Sequence, residues 1–217
     1  AGEYIGNALE WQDVTAARLK SVQVGRLTST LEGMTTNVMM ADTKGNIVYA
    51  NPAVQTMMRR REATLRTVLP SFSVDTMVGT NFDTFHKNPA HQQNLLGNPD
   101  NLPYNTEITV AGLTFQLIAI ALRDEEGNHV GTAVQWVDLT EEKDAQKAAG
   151  ALSQGRDFAV VAKEIANMDA DVIYLGKITH AHLPFPELAD VVFALKVGEN
   201  SAPQKSPLGW HLFRVDG

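Results

Sequence analysis

The stretch Gly45-Asn46-Ile47-Val48-Tyr49-Ala50-Asn51-Pro52-Ala53 decides the fold of the first part of this 217-residue chain. Two short apolar runs, 37–42 and 46–50, flank a turn whose glycine stands where positive φ is needed, which predicts a β-hairpin. Asn51 fits the N-cap of a helix, and Pro52 fits its first position, where a missing N–H costs nothing. The stretch therefore predicts strand, turn, strand, and then a helix over 53–69.

Three further strands are predicted downstream of that helix. Residues 70–103 are rich in Asn, Pro, Asp and Gly and indicate short helices and loops. The strand-like runs follow at 104–111, 113–123 and 129–138. The order of elements predicts an α+β fold: a five-stranded antiparallel sheet with helices on one face.

Composition excludes several classes of function. The net charge of −7 argues against nucleic acid as a partner, because binding phosphates requires a basic face. The absence of cysteine removes disulfides and thiolate metal sites. No window approaches 18 uncharged apolar residues, so the sequence predicts no transmembrane helix.

An internal repeat suggests how the chain is organised. Residues 2–15 align with residues 127–140, and both copies run from a glycine turn through an alternating strand into a polar helix. We expect residues 1–33 to hold the last strand of a preceding domain plus a connector helix over 12–33. A complete domain is expected at 34–140, and a third segment at 141–217.

The pattern changes after Gly155. Helices are predicted over 141–152, 157–168 and 184–195, because apolar residues recur there at helical spacing. Short strands are predicted over 172–176 and 209–215. These elements indicate a small α/β segment that shares the helix following strand 129–138.

The first domain resembles PAS sensor domains of bacterial methyl-accepting chemoreceptors. The resemblance rests on Gly45–Ala53, on Val78-Gly79-Thr80-Asn81-Phe82-Asp83-Thr84-Phe85-His86-Lys87-Asn88-Pro89-Ala90-His91-Gln92, and on the closing Gly131…Trp136-Val137-Asp138-Leu139-Thr140. It covers about residues 28–140. A haem-binding, oxygen-sensing (Aer2-like) subgroup shares the pattern, so the resemblance implies haem b as cofactor and dioxygen as the ligand sensed.

The resemblance implies three cofactor-binding residues. His86 would ligate the haem iron as a neutral imidazole, with His91 as its neighbour. Trp136 would present an indole N–H, which only donates, to dioxygen. A plainer interpretation stays open: a capped turn whose histidines form ordinary surface hydrogen bonds, with Trp136 in the core.

The family also implies partners. The Asp138-Leu139-Thr140 junction would pass a signal to the signalling helix of the same or a partner chain, and helices flanking the PAS domain would form a homodimer. Such PAS domains are cytoplasmic. The basic run Arg59–Arg61 is predicted to be a solvated helix face, which is the usual role of such runs; an acidic ligand or partner is the other interpretation.

The third segment resembles parvulin-type peptidyl-prolyl isomerases of the periplasmic SurA-like or PpiD-like branch over about 143–217. The resemblance rests on Ser153–Glu164, on Leu183-Pro184-Phe185-Pro186-Glu187-Leu188-Ala189-Asp190-Val191-Val192-Phe193-Ala194-Leu195, and on Ser206-Pro207-Leu208-Gly209-Trp210-His211-Leu212-Phe213. It implies His211 as a catalytic residue. Leu183, Leu188 and Phe193 would form the wall of the substrate pocket.

The parvulin pattern is incomplete. A parvulin begins with a strand that carries an active-site histidine, but the strand 133–137 has none. We therefore expect isomerase activity to be absent or very weak. The other interpretations are a working isomerase or chaperone, and a small subdomain that His211 merely helps to close. A PAS domain sharing a strand and helix with a parvulin is unusual, so a chimera or engineered fusion without activity is a further interpretation.

Overall fold

The computed structural model describes Gly2, residues 13–86 and residues 89–217, apart from the side chains at 89, 91, 92, 170 and 172. Most of the predicted N-terminal strand at residues 2–15 lies outside the described residues. The chain divides into two compact units, Ala1–Tyr104 with Ala119–Trp136, and Asn105–Ile118 with Val137–Gly217. The domain boundaries expected from the sequence stay a prediction.

From residue 13 to residue 169, the helices and strands follow the order that the sequence predicted. The first stretch contains α1 (Thr15–Gly33), β1 (Asn37–Asp42), β2 (Ile47–Ala50), α2 (Pro52–Leu65), α3 (Val74–Met77), a 3₁₀ turn (Phe82–Phe85), α4 (Pro89–Gly97), a second 3₁₀ turn (Pro99–Asn101), β3 (Tyr104–Val110), β4 (Leu113–Arg123) and β5 (His129–Asp138). The remainder contains α5 (Thr140–Ser153), α6 (Phe158–Ala166), α7 (Ala170–Ile173), a third 3₁₀ turn (His180–His182), α8 (Pro186–Ala194), β6 (Gln204–Ser206) and β7 (Gly209–His211).

The predicted five-stranded antiparallel sheet is confirmed, with strand order β2-β1-β5-β4-β3. β1 pairs antiparallel with β2 and with β5, and Met40 stands opposite Tyr49 on one side and Ala133 on the other. The register of the hairpin shifts between Met40 and Ala41. β1 therefore pairs with a neighbouring strand along both of its edges.

The amide of Asn51 joins three elements of the first unit. Its side chain is fully buried, and its Oδ1 accepts hydrogen bonds from the backbone N–H of Val38 (3.0 Å) and Val54 (3.1 Å). Its Nδ2 donates to the carbonyl oxygens of Leu31 (3.1 Å) and Thr36 (2.8 Å). Asn51 therefore caps α2 as predicted, and it also holds the end of α1 and the start of β1.

Two hairpin turns share the pattern Asp-x-x-Gly-Asn and one hydrogen-bond geometry. In Asp42-Thr43-Lys44-Gly45-Asn46, the Asp42 carboxylate accepts from the N–H groups of Lys44 and Asn46 and from the Asn46 amide, all at 2.9 Å. Asp124 makes the same three bonds in Asp124-Glu125-Glu126-Gly127-Asn128, at 2.8–3.0 Å. An Asp side chain that bonds the backbone two residues on is a common turn former.

These bonds lower the pKa of both aspartates. The largest cause in each turn is the amide of the following asparagine, Asn46 for Asp42 and Asn128 for Asp124. Because the pKa is depressed in the folded state, the carboxylates stabilise the turns at neutral pH, and that contribution is lost as the pH falls below about 4.

Each unit buries its own apolar core. In the first unit the buried side chains include Ile47, Val54, Met58, Leu65, Phe72, Val74 and Met77. In the second unit α5, α6 and β7 form a cluster in which Ala148, Leu152 and Val161 are buried and Ala151, Phe158, Ile165 and Leu212 pack against them. The apolar stripe predicted for the helix 157–168 therefore does face a core, except that Met168 is 40% exposed.

The strand predicted at 172–176 is wrong. The chain forms the short helix α7 there, and Tyr174 and Leu175 after it are largely exposed. A strand needs a neighbour for its N–H and C=O groups, and the described part of the chain offers this segment none. The amide of Ile173 instead donates to the Asp169 carbonyl oxygen, which closes a helical turn.

The last predicted strand, 209–215, is shorter than expected. β7 covers Gly209–His211 and pairs with β6. Beyond it, the N–H of Phe213 donates to the hydroxyl of Ser201 (2.9 Å) rather than to a backbone carbonyl, which interrupts the ladder. Arg214 then forms a single bridge with Asn200.

Helix α1 lies where the sequence predicted a helix, and it buries none of its residues. Its role as a connector stays a prediction. Large apolar side chains are exposed along it, namely Leu19, Val22, Val24 and Leu27. Within the described residues, no helix combines the length and the apolar character that crossing a membrane requires.

The two equivalent turns give a matched pair of variants. Gly45 and Gly127 have φ of +84° and +87°, so alanine is strained at both. A Cβ at Gly45 would also lie 3.0 Å from the Phe82 ring, whereas nothing lies within 4 Å at Gly127. We expect Gly127→Ala to destabilise by about 1–2 kcal/mol and Gly45→Ala by about 1 kcal/mol more.

Urea unfolding at constant m-value measures both changes. The difference between the two variants reports the contact with Phe82, because the strain of positive φ is common to both. Equal losses in the two variants would contradict the close approach of Phe82 to the turn.

A second prediction concerns the buried amide. Asn51→Asp keeps the oxygen that accepts from Val38 and Val54 but turns the donor into an oxygen facing the carbonyls of Leu31 and Thr36. We expect a loss of about 3–5 kcal/mol at pH 7, because a buried charge is left without a partner. Thermal or urea unfolding measures the loss.

The exposed Asn98 supplies the control for this variant. It caps the second 3₁₀ turn by accepting from the N–H of Asp100 at 3.0 Å. Asn98→Asp should change stability by less than about 0.5 kcal/mol. A similar small change for Asn51→Asp would show that the buried amide does not hold the unit together.

Candidate functional site

His86 is positioned by the turn between β1 and β2. The N–H of Phe82 donates to the carbonyl of Gly45 (2.9 Å), and the Asn81 amide donates to the carbonyl of Lys44 (2.8 Å). These bonds fix the start of the 3₁₀ turn that ends just before His86. The repeated turn motif therefore determines where the histidine stands.

The imidazole of His86 has one nitrogen engaged. Its Nδ1 lies 2.8 Å from the carbonyl oxygen of Phe82, so Nδ1 carries the proton and donates. The Phe82 ring lies edge-on to it, 5.8 Å away. This tautomer leaves the lone pair of Nε2 for a metal, which is the arrangement of a metal-bound histidine oriented by a carbonyl. The Nε2 of His86 would therefore be able to hold a haem iron.

Trp136 and His91 are the other two cofactor-binding residues that the sequence resemblance implied. Trp136 lies near the end of β5, half-buried, opposite Asn37 of β1, and its carbonyl accepts from the Asn37 amide at 2.9 Å. His91 lies in the first turns of α4, and its side chain is outside the described residues. Its role as a neighbour of His86 stays a prediction.

A cavity of about 260 Å³ lies beside the 3₁₀ turn in the first unit. Its lining residues come from the β1–β2 turn, the 3₁₀ turn, α4 and β5: Asp42, Thr43, Lys44, Gly45, Phe82, Gln93, Leu96, Gly97, His129 and Thr132. Phe82 brings the cavity close to the segment that carries His86. Neither His86 nor Trp136 is among the lining residues.

His129 is a polar residue in this cavity that the sequence analysis missed. Its Nε2 is buried and has no hydrogen-bond partner in the described part of the chain. His129 begins β5 directly after the Asp124–Asn128 turn. The sequence carries no signal for this position, because the cavity is assembled from elements that lie far apart along the chain.

The Asp138-Leu139-Thr140 junction is held by a compact set of hydrogen bonds. The Asp138 carboxylate accepts from the N–H of Thr140 (3.0 Å), and the buried Thr140 hydroxyl accepts from the N–H of Thr114 (3.1 Å). The N–H of Leu139 donates to the Thr114 carbonyl at 2.9 Å. The start of α5 is therefore attached to β4.

His211 has a partner that the sequence analysis did not identify. Its Nε2 lies 2.7 Å from the hydroxyl of Ser206, and that hydroxyl accepts from the N–H of Leu208 (3.1 Å). The hydroxyl of Ser206 and Nε2 of His211 thus share one hydrogen bond, whose direction is set by the tautomer of the imidazole. The His211 ring stacks on Phe213 at 6.0 Å.

The three predicted pocket-wall residues differ in burial. Leu188 is 3% exposed, Leu183 is half-buried, and Phe193 is 51% exposed. Phe193 packs against the ring of His180 (5.6 Å), whose Nε2 lies 2.9 Å from the Asp190 carboxylate. Of these three, only Phe193 is freely accessible to a polypeptide. A substrate pocket whose wall is formed by all three residues therefore stays a prediction.

Other candidate sites are weaker. No three His, Asp or Glu side chains converge as a metal site among the described residues. Arg59 forms an exposed ion pair with Asp75 at 2.9 Å on the surface of α2. That contact agrees with the solvated helix face predicted for the Arg59–Arg61 run.

Two family models match the chain, in separate stretches that do not overlap. The model described as "PAS domain" matches residues 25–89, and the model described as "PPIC-type PPIASE domain" matches residues 127–217. The second match begins at the Gly127 turn, so it includes β5, the central strand of the sheet.

The relatives repeat this division. The chain is 34% identical to the methyl-accepting chemotaxis protein McpB of Pseudomonas aeruginosa over 164 residues, which is 75% of this chain and 24% of that protein. It is 34% identical to the foldase protein PrsA of Caldanaerobacter subterraneus over 82 residues, or 36% of this chain and 26% of that protein. The chain thus spans about a quarter of the length of these curated relatives.

A solved structure is also similar. Its description reads "The Aer2 Receptor from Vibrio cholerae is a Dual PAS-Heme Oxygen Sensor". It is 49% identical, covers 50% of this chain and 98% of its own, and gives a TM-score of 0.48.

Proposed function

We propose that this chain, which joins a PAS domain to a partial parvulin-like segment, is a sensory module of a chemoreceptor-type signalling protein. In this proposal the module binds haem b and senses dioxygen. The observation that carries the proposal is the tautomer of His86, fixed by the carbonyl of Phe82. Haem is the group that the description of the Vibrio cholerae receptor names for that protein. When bound, it supplies an iron that takes up a diatomic gas.

In this proposal His86 binds the iron and Trp136 donates a hydrogen bond to the gas. His86 offers Nε2 to the iron, because Nδ1 donates to the backbone and cannot turn away without losing that bond. Trp136 supplies an N–H donor for a gas molecule that gains partial negative charge. His91 is the second histidine of the same segment and the residue to test as an alternative ligand.

The response would leave the domain through α5. The bonds between Thr114 and the Leu139-Thr140 pair couple the position of β4 to the first turn of that helix. A further ion pair joins Lys143 of α5 to Glu107 of β3 at 2.9 Å. A shift of these strands is therefore passed on to the helix, which acts on a signalling helix of the same or a partner chain.

A homodimer through the flanking helices and a cytoplasmic location belong to the same proposal. The exposed apolar side chains of α1 are the feature of this chain that favours the dimer, because they have no cover within the first unit. McpB is a chemotaxis protein, and a receptor module of that kind signals on the cytoplasmic side of the membrane.

A second candidate function is peptidyl-prolyl isomerisation, and the bond between His211 and Ser206 favours it. Twisting a prolyl amide requires an apolar pocket and hydrogen-bonding groups that hold the twisted state. A parvulin has a further active-site histidine on its first strand, but residues 133–137 of β5 contain none. We propose that the segment keeps its fold and has little or no isomerase activity.

The haem proposal predicts separable effects of two variants. His86→Ala should abolish haem retention, because the axial ligand is lost. Trp136→Phe should keep haem and weaken dioxygen binding by about two- to twelvefold, since one donated hydrogen bond is worth about 0.5–1.5 kcal/mol. The Soret band of reconstituted protein and dioxygen titration measure the two effects.

His91→Ala serves as the control for the ligand assignment. It should retain haem as the wild type does. Loss of haem in His91→Ala but not in His86→Ala would show that His91 is the ligand. Wild-type protein that takes up no haem would refute the proposal.

The isomerase prediction is tested with a protease-free peptide assay. Wild type, His211→Ala and Ser206→Ala should all give rates within about twofold of the uncatalysed reaction, because one histidine cannot hold the twisted amide alone. Circular dichroism of the three proteins should show the same fold. Robust turnover in the wild type that disappears in His211→Ala would establish the enzyme and overturn this prediction.

A further inference from the structure

The cavity beside the 3₁₀ turn contains polar groups that the proposed function does not use. His129 places a buried Nε2 with no hydrogen-bond partner among the described residues. Lys44 and Thr132 line the same space, and Phe82 and Leu96 form its apolar side. A buried imidazole nitrogen without a partner costs free energy unless a ligand or solvent completes its bond.

Size limits what the cavity can hold. Its volume of about 260 Å³ is below the range of roughly 300–1,000 Å³ that is usual for sites of drug-sized ligands. A small group therefore fits, such as the side arm of a larger molecule or a short organic acid. The mixed lining suits a group with a short apolar stem and a polar end.

The charges indicate which polar end fits. The ammonium of Lys44 and an N–H of His129 are both donors, and an anionic oxygen accepts from both. Asp42 also lines the cavity, but its carboxylate oxygens accept the three bonds of its own turn. Asp42 therefore offsets the charge of Lys44 without offering a donor to a ligand. Thr132 donates its hydroxyl to the Leu96 carbonyl at 3.4 Å and keeps capacity to accept.

We propose that His129 and Lys44 form a carboxylate-binding subsite of the PAS domain, in the cavity between the β1–β2 turn, α4 and β5. The proposal rests on the proposed function in one respect: haem b carries two propionate groups, and a propionate is a short apolar stem that ends in a carboxylate. A free short-chain carboxylic acid has the same chemistry and is the other source of the ligand.

The β1–β2 turn would contribute both to this subsite and to the position of His86. Gly45 and Lys44 accept the bonds that position Phe82 and Asn81, so the turn that orients His86 also presents the Lys44 side chain to the cavity. A carboxylate bound there would be held by the same turn that fixes the axial histidine. Occupation of the subsite and ligation by His86 are therefore expected to reinforce each other.

The first arm of the test compares haem b with its dimethyl ester, which lacks both carboxylates. Apoprotein is titrated with each, and the Soret band gives the affinity. We expect the wild type to prefer haem b about tenfold or more, because a hydrogen bond to a charged group is lost in the ester. Lys44→Met and His129→Leu should reduce that preference about tenfold and keep the same Soret maximum, since His86 is untouched.

Lys20→Met is the matched control. Lys20 is an exposed lysine of α1, with 75% of its side chain accessible, and it is not among the residues that line the cavity. It should leave the preference for haem b unchanged. Lys44 is exposed as well, so Lys44→Met keeps the test valid if His129→Leu fails to fold. An equal preference in the wild type and Lys44→Met would overturn the subsite.

The second arm uses sodium propionate on apoprotein, followed by the NMR signals of the His129 imidazole. Saturable shifts that haem b displaces assign the subsite to the cofactor's carboxylate. Saturable shifts in a protein that binds no haem assign it to a free carboxylic acid, and the haem proposal fails while the subsite stands. Absence of any shift, together with no discrimination against the ester, would refute the subsite whatever the fate of the haem proposal.

Discussion

The buried amide of Asn51 is the interaction on which the first unit depends. Its Oδ1 accepts two hydrogen bonds, from the N–H groups of Val38 and Val54, and its NH₂ donates two, to the carbonyls of Leu31 and Thr36. A fully buried amide is stabilising only when its donors and acceptors are all paired. The four bonds fix the end of α1, the first residues of β1 and the first turn of α2 relative to one another, and Pro52 then continues the helix without needing a donor.

Local sequence patterns predicted the elements whose hydrogen bonds are local. The Asn51-Pro52 cap, the hairpin and the bounds of β4 and β5 follow from turn residues and alternation, because their partners lie a few residues away. The segment at 172–176 has strand-like residues but no neighbouring strand, and only the tertiary structure shows that. The same holds for Phe213, whose ladder bond is replaced by the Ser201 hydroxyl twelve residues away.

How well each candidate site could be predicted also depends on how far apart its residues lie along the chain. His86 follows a local motif, and its bond to Phe82 spans one helical turn. Ser206 and His211 lie five residues apart across a hairpin, so the spacing could have suggested the pair. His129 was out of reach, because its cavity is assembled from four elements between 42 and 132, and no pattern within one of them indicates the space they enclose.

Helix α5 limits how a signal can pass through this chain. Its first turn is bonded to Thr114, while its last turns bury Ala148 and Leu152 against Val161 and Leu212. An exit helix with a free polar surface can shift or rotate at little cost, but moving this one alone would expose buried apolar area at about 25 cal/mol per Å². Because cores are close-packed, α6 and β7 must move with α5 as one body. Under the proposed sensory function, a response that begins at β4 would therefore reach the parvulin-like cluster as a displacement of the whole cluster rather than as a change inside it.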